Sequence, residues 1–315
     1  MLAPASRDKP LGSTLPSRPR RVGVRPSAAG DIHHVGRITM NATIDSRGWT
    51  MVRRLLLLLA LVGGALVLAA GPLYRFGWLE LRAAFDLMRW GFYVSAGIAG
   101  ISLVALIIAA IRRQTRTAGL LALALVIAAV PAIGLYQFRA RAMAVPPIHD
   151  VTTDLSDPPA FVVLHPRAQE TEPVVPAGRR ADLEKLSPQE RWRVYHREAY
   201  GDLAPLLLRS DPAEAIALAE RAARDLGWKI AAVDPKEGRL EATDTTFWFG
   251  FKDDVVVRAR PDPAHAGVVR LDVRSVSRIG ISDLGANAAR IERFLDRIRH
   301  LAAGRLVEGG QARIG

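Results

Sequence analysis

The sequence predicts an α+β membrane protein, with three N-terminal transmembrane helices followed by a two-layer domain in which two helices cover one face of an antiparallel sheet. Three uncharged apolar runs in the first half of the chain each reach the ~20 residues that a helix needs to cross a bilayer. The second half contains four segments of alternating apolar and polar residues joined by short turns, the pattern of a β-meander. Two amphipathic helical patterns flank this meander, so each helix has one apolar surface to bury against the sheet.

The apolar runs cover residues 55–73, 90–111 and 118–136, inside a membrane region from 51 to 141. None of them contains Asp, Glu, Lys, Arg or His, which argues against a pump that moves ions through charged intramembrane groups. Arginines are densest in the basic tail and in the short loop between the second and third runs. The positive-inside rule therefore favours a cytoplasmic amino terminus and a C-terminal domain outside the cytoplasm.

The net charge of +12 is unevenly distributed along the chain. Residues 1–54 contain 10 Lys and Arg against 3 Asp and Glu, residues 55–141 contain 8 against 2, and residues 142–315 contain 25 against 26. An excess confined to the tail and the spans indicates membrane topology or anionic lipid, and we predict no nucleic-acid partner. The absence of cysteine excludes thiol nucleophiles, disulfides and thiolate metal sites.

The segments before and after the transmembrane region show little of the regular spacing of apolar residues that is typical of helices and strands. Residues 1–50, rich in Pro, Ser, Gly and Arg, are predicted to be a disordered basic tail, or else an over-extended start, because the run from Met51 resembles an amino terminus by itself. The proline-rich stretch 142–202 is predicted to be a connector that drapes over the domain without packing, with one short helix after Ser187. Residues 303–315 are expected to be flexible.

The soluble domain is predicted over residues 203–302. A first strand at 203–209 precedes a helix that is capped by Asp211 and ends at Gly227. Four strands follow, at residues 229–233, 239–247, 253–260 and 268–277. A last helix is predicted from about Ser282 to Leu301 on the spacing of its apolar residues, which are Leu284, Ala288, Ile291, Leu295 and Ile298.

Four sequence stretches together resemble a known family. They are PPIHDVTTDLSDPPAF (146–161), AYGDLAPLLL (199–208), LEATDTTFWFGFKDDVVVRARP (240–261) and LDVRSVSRIGISDLGANAARI (271–291). In this order they are similar to the family called domain of unknown function 1499, over about residues 146–300, and the spans ahead of them resemble its membrane-anchored bacterial branch. The resemblance implies an envelope protein without an assigned reaction.

Three places could bind a ligand or partner. The outer sheet face should carry Arg258 and Asp272, either as a binding surface or as a solvated face. The turn into the last helix offers a ligand site for an anion, or merely a helix cap formed by Ser282 and Asp283; the residues of the ligand site are Arg274, Arg278, Gly280 and Ser282. An aromatic hairpin is too rich in rings to bury them all on one face, so some should meet the membrane, the connector or a partner, unless they pack in the core beneath the connector; its rings are Phe247, Trp248, Phe249 and Phe251.

No catalytic motif is present in the sequence. Adjacent Asp253 and Asp254 should lie on opposite strand faces and cannot form one acid/base dyad. His149, Asp150 and Asp154 are too few for a metal centre, so we predict no catalytic residue, metal or cofactor. The favoured hypothesis is a non-enzymatic domain that binds an envelope protein or lipid beside the bilayer. The alternative is an enzyme or carrier for an anionic envelope molecule, using the arginine-flanked helix terminus.

Overall fold

The computed structural model describes residues 46–167, 174–178 and 180–307 of the chain. The predicted disorder of the tail therefore concerns residues outside this part, except for its last five, which form the first turn of a helix. The predicted flexible end also lies outside it from residue 308 onward. Residues 305–307 are ordered, because Arg305 and Val307 hydrogen-bond through their backbones to Arg209 and Leu207 of a strand.

Three long helices come first, and each is long and apolar enough to cross a bilayer. They are α1 (Ser46–Arg75), α2 (Leu81–Ile111) and α3 (Thr115–Ala144). Gly63 of α1 faces Ser95 of α2, and an added Cβ there would lie 2.7 Å from the serine oxygen. Small residues thus let the helices approach closely, as is usual in lipid, where packing drives association.

The soluble part is built on one antiparallel sheet of six strands. A meander of four strands forms most of it, in the spatial order β6-β5-β4-β3, and β1 and β2 both pair with the free side of β6. The strands are β1 (Asp150–Thr152), β2 (Leu206–Arg209), β3 (Lys229–Asp234), β4 (Arg239–Thr245), β5 (Lys252–Pro261) and β6 (Val268–Ser277). The predicted meander is confirmed, whereas β1 was not predicted.

Two helices, α5 (Pro212–Asp225) and α6 (Ala286–Leu301), pack on the same face of the sheet and complete the predicted two-layer α+β fold. The inward side chains of β5 and β6 are those that alternation assigns, and all are buried in the main core: Val255, Val257, Ala259, Val269, Leu271 and Val273. The ring of Phe294 stacks on that of Trp228 with centroids 4.8 Å apart. Helix α5 begins as expected, since Asp211 accepts the N–H of Glu214 at 2.8 Å.

Two sequence expectations about this part are wrong. Helix α6 begins at Ala286 instead of Ser282, because Leu284 and Gly285 have positive φ angles that a helix does not allow. The connector does not drape without packing. It contains β1 and the predicted short helix α4 (Pro188–Tyr200), capped by Ser187, and it has a small core of its own made of Ile148, Val175, Leu183 and Tyr195.

Candidate functional site

The aromatic hairpin, residues 245–254, is the turn from β4 into β5 and lies against the end of α1. Its turn is closed by Thr246, whose N–H donates to the carbonyl of Phe251 and whose carbonyl accepts the N–H of Gly250. Gly250 has a φ of +70°, and a Cβ there would lie 2.9 Å from the side chain of Arg75. Only glycine therefore lets the turn approach the helix this closely.

The indole ring of Trp248 lies in a depression on the surface of α1, at Leu68 and Gly71, which we call the socket. Pro72 lies inside this helix and has no N–H, so the carbonyl of Leu68, four residues earlier, loses its intrahelical donor. The indole N–H of Trp248 donates to that carbonyl at 3.1 Å. Gly71 is the floor of the socket, since a Cβ there would lie 2.6 Å from the indole ring. A soluble-domain side chain thus satisfies a backbone group that the transmembrane helix leaves open.

Phe249 and Phe251 extend this contact to both ends of the first interhelical loop. Their rings stack with centroids 4.9 Å apart, and Tyr74 lies 5.6 Å from Phe251. Phe85 of α2 lies 5.5 Å from Phe249. These aromatic contacts join α1, α2 and the sheet into one cluster of rings.

Phe247 is the exception among the hairpin aromatics, because 89% of it is exposed. Arg75 holds the turn in place by donating to the Phe247 carbonyl. In the following loop Phe76 and Trp78 are also exposed, by 69% and 75%. Exposed aromatics beside the end of an apolar helix are typical of a membrane interface.

The connector covers much of the outer sheet face, although its arginines keep part of their side chains exposed. Arg258, Arg260 and Arg270 point outward, and each has an ion pair with Asp272, which is fully buried. Asp154 of the connector adds a second carboxylate, 2.8 Å from Arg270 and 2.9 Å from Arg260. Both members of the predicted partner surface on this face, Arg258 and Asp272, are therefore engaged within the chain.

The electrostatics of Asp154 match this role. Burial acts to raise the pKa of its carboxyl, but hydrogen bonds from Ser156 and Asp157 and the charge of Arg270 outweigh it, so the net pKa is lowered. The carboxylate is therefore kept ionised by its donors, as a structural ion pair requires. Because its oxygens are occupied by these donors, it is poorly placed to accept a proton from a substrate.

Glu241 holds the connector against the outer sheet face through a second set of hydrogen bonds. It is fully buried on β4, and its two carboxylate oxygens accept the backbone N–H groups of three consecutive residues, Val162, Val163 and Leu164, at 2.7–3.2 Å. Successive N–H groups that converge in this way form an anion-binding concavity. Here the chain's own carboxylate fills it.

Both arginines of the predicted ligand site already have carboxylate partners. Arg274 donates to Asp150 of β1 at 2.6 and 2.9 Å. Arg278 donates to Asp254 with Nε and Nη2, both at 2.9 Å, and this bond raises its pKa. Ser282 donates its hydroxyl to the carbonyl of Pro146 at 3.3 Å, and Gly280 takes the turn at a φ of +86°.

Asp283, not Ser282, caps the last helix. Its carboxylate accepts the N–H groups of Gly285 and Asn287 at 2.9 and 2.8 Å. Burial raises the pKa of this carboxyl, against the effect of those two donors. The N-terminus of the last helix, which the sequence suggested as an anion site, therefore already has a side-chain acceptor. Of the predicted ligand residues, Arg278 lines a cavity.

Sequence reasoning missed a buried arginine and a buried histidine. Arg290 of α6 is 2% exposed and pairs with Asp253 and with Asp244 at the base of the aromatic hairpin. Asp253 and Asp254 thus lie on opposite faces, as predicted, each with its own arginine. His196 of α4 accepts the N–H of Thr152 at 3.0 Å through Nε2, and burial lowers its pKa. No local sequence pattern marks these ion pairs or this hydrogen bond, because Asp244, Asp253 and Thr152 lie 37 to 46 positions from the residues they contact.

Within the described ranges, no group of three or more His, Asp or Glu side chains is placed to hold a metal ion. The three neighbours His149, Asp150 and Asp154 have separate roles in the fold. His149 is buried, and its carbonyl accepts hydrogen bonds from Ser277 and Asn287. The carboxylates of Asp150 and Asp154 form ion pairs with arginines of the sheet.

These features define an integral membrane protein in which three apolar helices carry an α+β domain whose outer sheet face is closed by the intervening connector. Residues 150–298, from β1 to the last turn of α6, match the model of a family described as "Protein of unknown function (DUF1499)". This match confirms the resemblance found in the sequence motifs. None of the curated proteins matches the chain.

Proposed function

We propose that the protein is a membrane-anchored, non-catalytic binding module whose domain is held at the bilayer surface and contacts lipid through the aromatic hairpin. The domain is fixed to α1 and α2 by the ring cluster and by the Trp248 hydrogen bond. Its outer sheet face is occupied by the connector, so the hairpin is the predicted contact surface that remains accessible.

The exposed ring of Phe247 carries this proposal. It lies beside Arg75, the last residue of α1, where the apolar helix leaves the hydrocarbon region. Trp248, the next residue, contacts α1 at Leu68, seven residues or about 10 Å of helix deeper. The depth of this contact supports a position of Phe247 at the level of the headgroups or below them, where an aromatic ring is favoured.

The alternative of an enzyme or carrier that uses the helix terminus has less support, because Asp283 already occupies that terminus. The carboxylates described on the outer face accept from arginines or backbone N–H groups. Such groups stabilise the fold, whereas a general acid or base must be free to exchange a proton with its substrate.

The domain is proposed to lie outside the cytoplasm, in the periplasm of a bacterial cell. An odd number of spans separates the amino terminus from the domain, and the basic tail and the short α2–α3 loop favour the cytoplasmic side. A reporter enzyme that is active only outside the cytoplasm should work when fused after Gly315. Activity only for a fusion within the α2–α3 loop would reverse this orientation.

The lipid contact can be tested with site-directed labels, since the chain has no native cysteine. Phe247→Cys and Lys236→Cys are each given a nitroxide label in the full chain in bilayers. Lys236 is the matched control, because it is exposed in the turn at the far end of β4, about 20 Å from the hairpin.

We expect the label at position 247 to collide preferentially with oxygen, which is concentrated in the bilayer, and the label at 236 to collide with a water-soluble nickel complex. Equal accessibility of the two labels to the nickel complex would refute the proposal.

A further inference from the structure

A cavity of about 560 Å³ lies between the aromatic hairpin, the connector and the end of β6. Three separate parts of the soluble domain form its walls, and Tyr74 of α1 contributes one side. The lining residues are Tyr74, Val163, Leu164, His165, Pro166, Arg167, Gly250, Phe251, Lys252, Arg278 and Ile279.

The charge of this lining is strongly one-sided. Arg167, Lys252 and Arg278 are cationic, and no residue of the lining is a carboxylate. Arg278 is held by Asp254 through Nε and Nη2, which directs the guanidinium without using Nη1. Lys252 is exposed and has no ion pair with any residue of the described ranges. The cavity therefore offers converging donors to an anion.

The position of the cavity indicates which anions reach it. Tyr74 is the penultimate residue of α1, and Gly250 lies against the side chain of Arg75. The cavity therefore opens where the apolar helix ends, at the level of lipid phosphates. The rings of Tyr74 and Phe251 supply an apolar wall beside the cations, a combination suited to a group that is charged at one end and apolar at the other.

We propose that this cavity binds a phosphate-bearing anion, and that Lys252 and Arg278 contact the phosphate. The phosphate could belong to an anionic phospholipid or to a soluble phosphate compound. The apolar wall and the site's position favour the lipid. This inference rests on the proposed function, because it requires the domain to lie at the bilayer surface.

The test is a titration of the full chain in detergent micelles with phosphatidylglycerol or phosphatidylcholine, read by native mass spectrometry. Lys252→Ala should weaken phosphatidylglycerol binding about fivefold, as expected for one cation at an anionic lipid surface. Lys252→Arg should restore the affinity. Lys236→Ala removes the same charge from the membrane-distal turn and should have no effect.

The source of the phosphate follows from competition with inorganic phosphate. Displacement of inorganic phosphate by the lipid, with the lipid binding more tightly, assigns the site to a lipid headgroup. Binding of inorganic phosphate that depends on Lys252, with no preference for phosphatidylglycerol, assigns it to a soluble phosphate compound.

Equal losses for Lys252→Ala and Lys236→Ala, or equal affinity for the two lipids without phosphate binding that depends on Lys252, would overturn the inference. If the label at position 247 still reports burial in the bilayer, only the cavity assignment has failed. If that label is in water, the proposed function has failed as well.

Discussion

The socket for Trp248 on α1 makes a quantitative prediction. Trp248→Phe keeps a ring over Gly71 but removes the donor to the carbonyl of Leu68. That carbonyl has no intrahelical partner, because position 72 is proline. The net contribution of one hydrogen bond is about 0.5–1.5 kcal/mol, and bonds within membranes average about 0.6 kcal/mol. We therefore expect Trp248→Phe to lower the free energy of unfolding by about 1 kcal/mol, in addition to the loss of ring contacts.

A second substitution separates the hydrogen bond from the packing. Pro72→Ala gives residue 72 an N–H that can donate to Leu68 within the helix, so the carbonyl no longer depends on Trp248. The loss of ring contacts is the same in both backgrounds and cancels in a double-mutant cycle. Trp248→Phe should consequently be less harmful in the Pro72→Ala protein, with a coupling of about 1 kcal/mol.

The cycle can be measured by unfolding the four full-length proteins with sodium dodecyl sulfate in mixed micelles, followed by circular dichroism. Gly64→Ala is a suitable control for helix α1, because an added Cβ there meets only one atom, 4.0 Å away. If Trp248→Phe costs the same in the native background and in the Pro72→Ala background, the vacant carbonyl is not the reason for the contact and the reasoning is refuted.

Two further predictions concern the soluble domain. Glu241→Gln should leave at least one of the three connector N–H groups without an acceptor, lower stability by about 2 kcal/mol and speed hydrogen exchange at residues 162–164, whereas exposed Glu237→Gln should not. Burial lowers the pKa of His196 in the folded protein, so below the pKa of an unfolded histidine, about 6.5, the unfolded state binds more protons than the folded state. Stability should therefore fall as pH drops from 6.5 to 5, by at most about 1.4 kcal/mol per pH unit. His196→Phe should flatten this dependence in thermal unfolding and exposed His300→Gln should not; an unchanged slope in His196→Phe would contradict the assignment.

The secondary structure was largely predictable because its signals are local. The bounds of β6, Val268–Ser277, coincide with the prediction, since both ends are marked by turns and the strand alternates throughout. Helix α4 was predicted from Ser187 and the proline that follows it, and the capping interaction is present. Strand β1 has only three residues within a proline-rich segment, which is too short to show alternation.

Local sequence signals could not predict that the connector covers the outer sheet face. Its charges were interpreted as exposed because a mixed-sign strand face usually meets water. The partners of Glu241 lie 77–79 positions earlier in the chain, and nothing near Glu241 indicates them. At the turn into α6 the sequence offered both Ser282 and Asp283 as caps, and only the structure shows that the carboxylate of Asp283 accepts from the helix terminus.

The way the connector closes the domain has a consequence for synthesis. Asp150 leaves the ribosome 124 residues before its partner Arg274, and the segment bound by Glu241 also precedes its acceptor. The part of the chain that is made first can take its place only after β4, β5 and β6 have been translated and paired. Until the connector docks, the carboxylates of the sheet that it will cover remain hydrated, and the domain lacks its outer layer although that layer has already been synthesised.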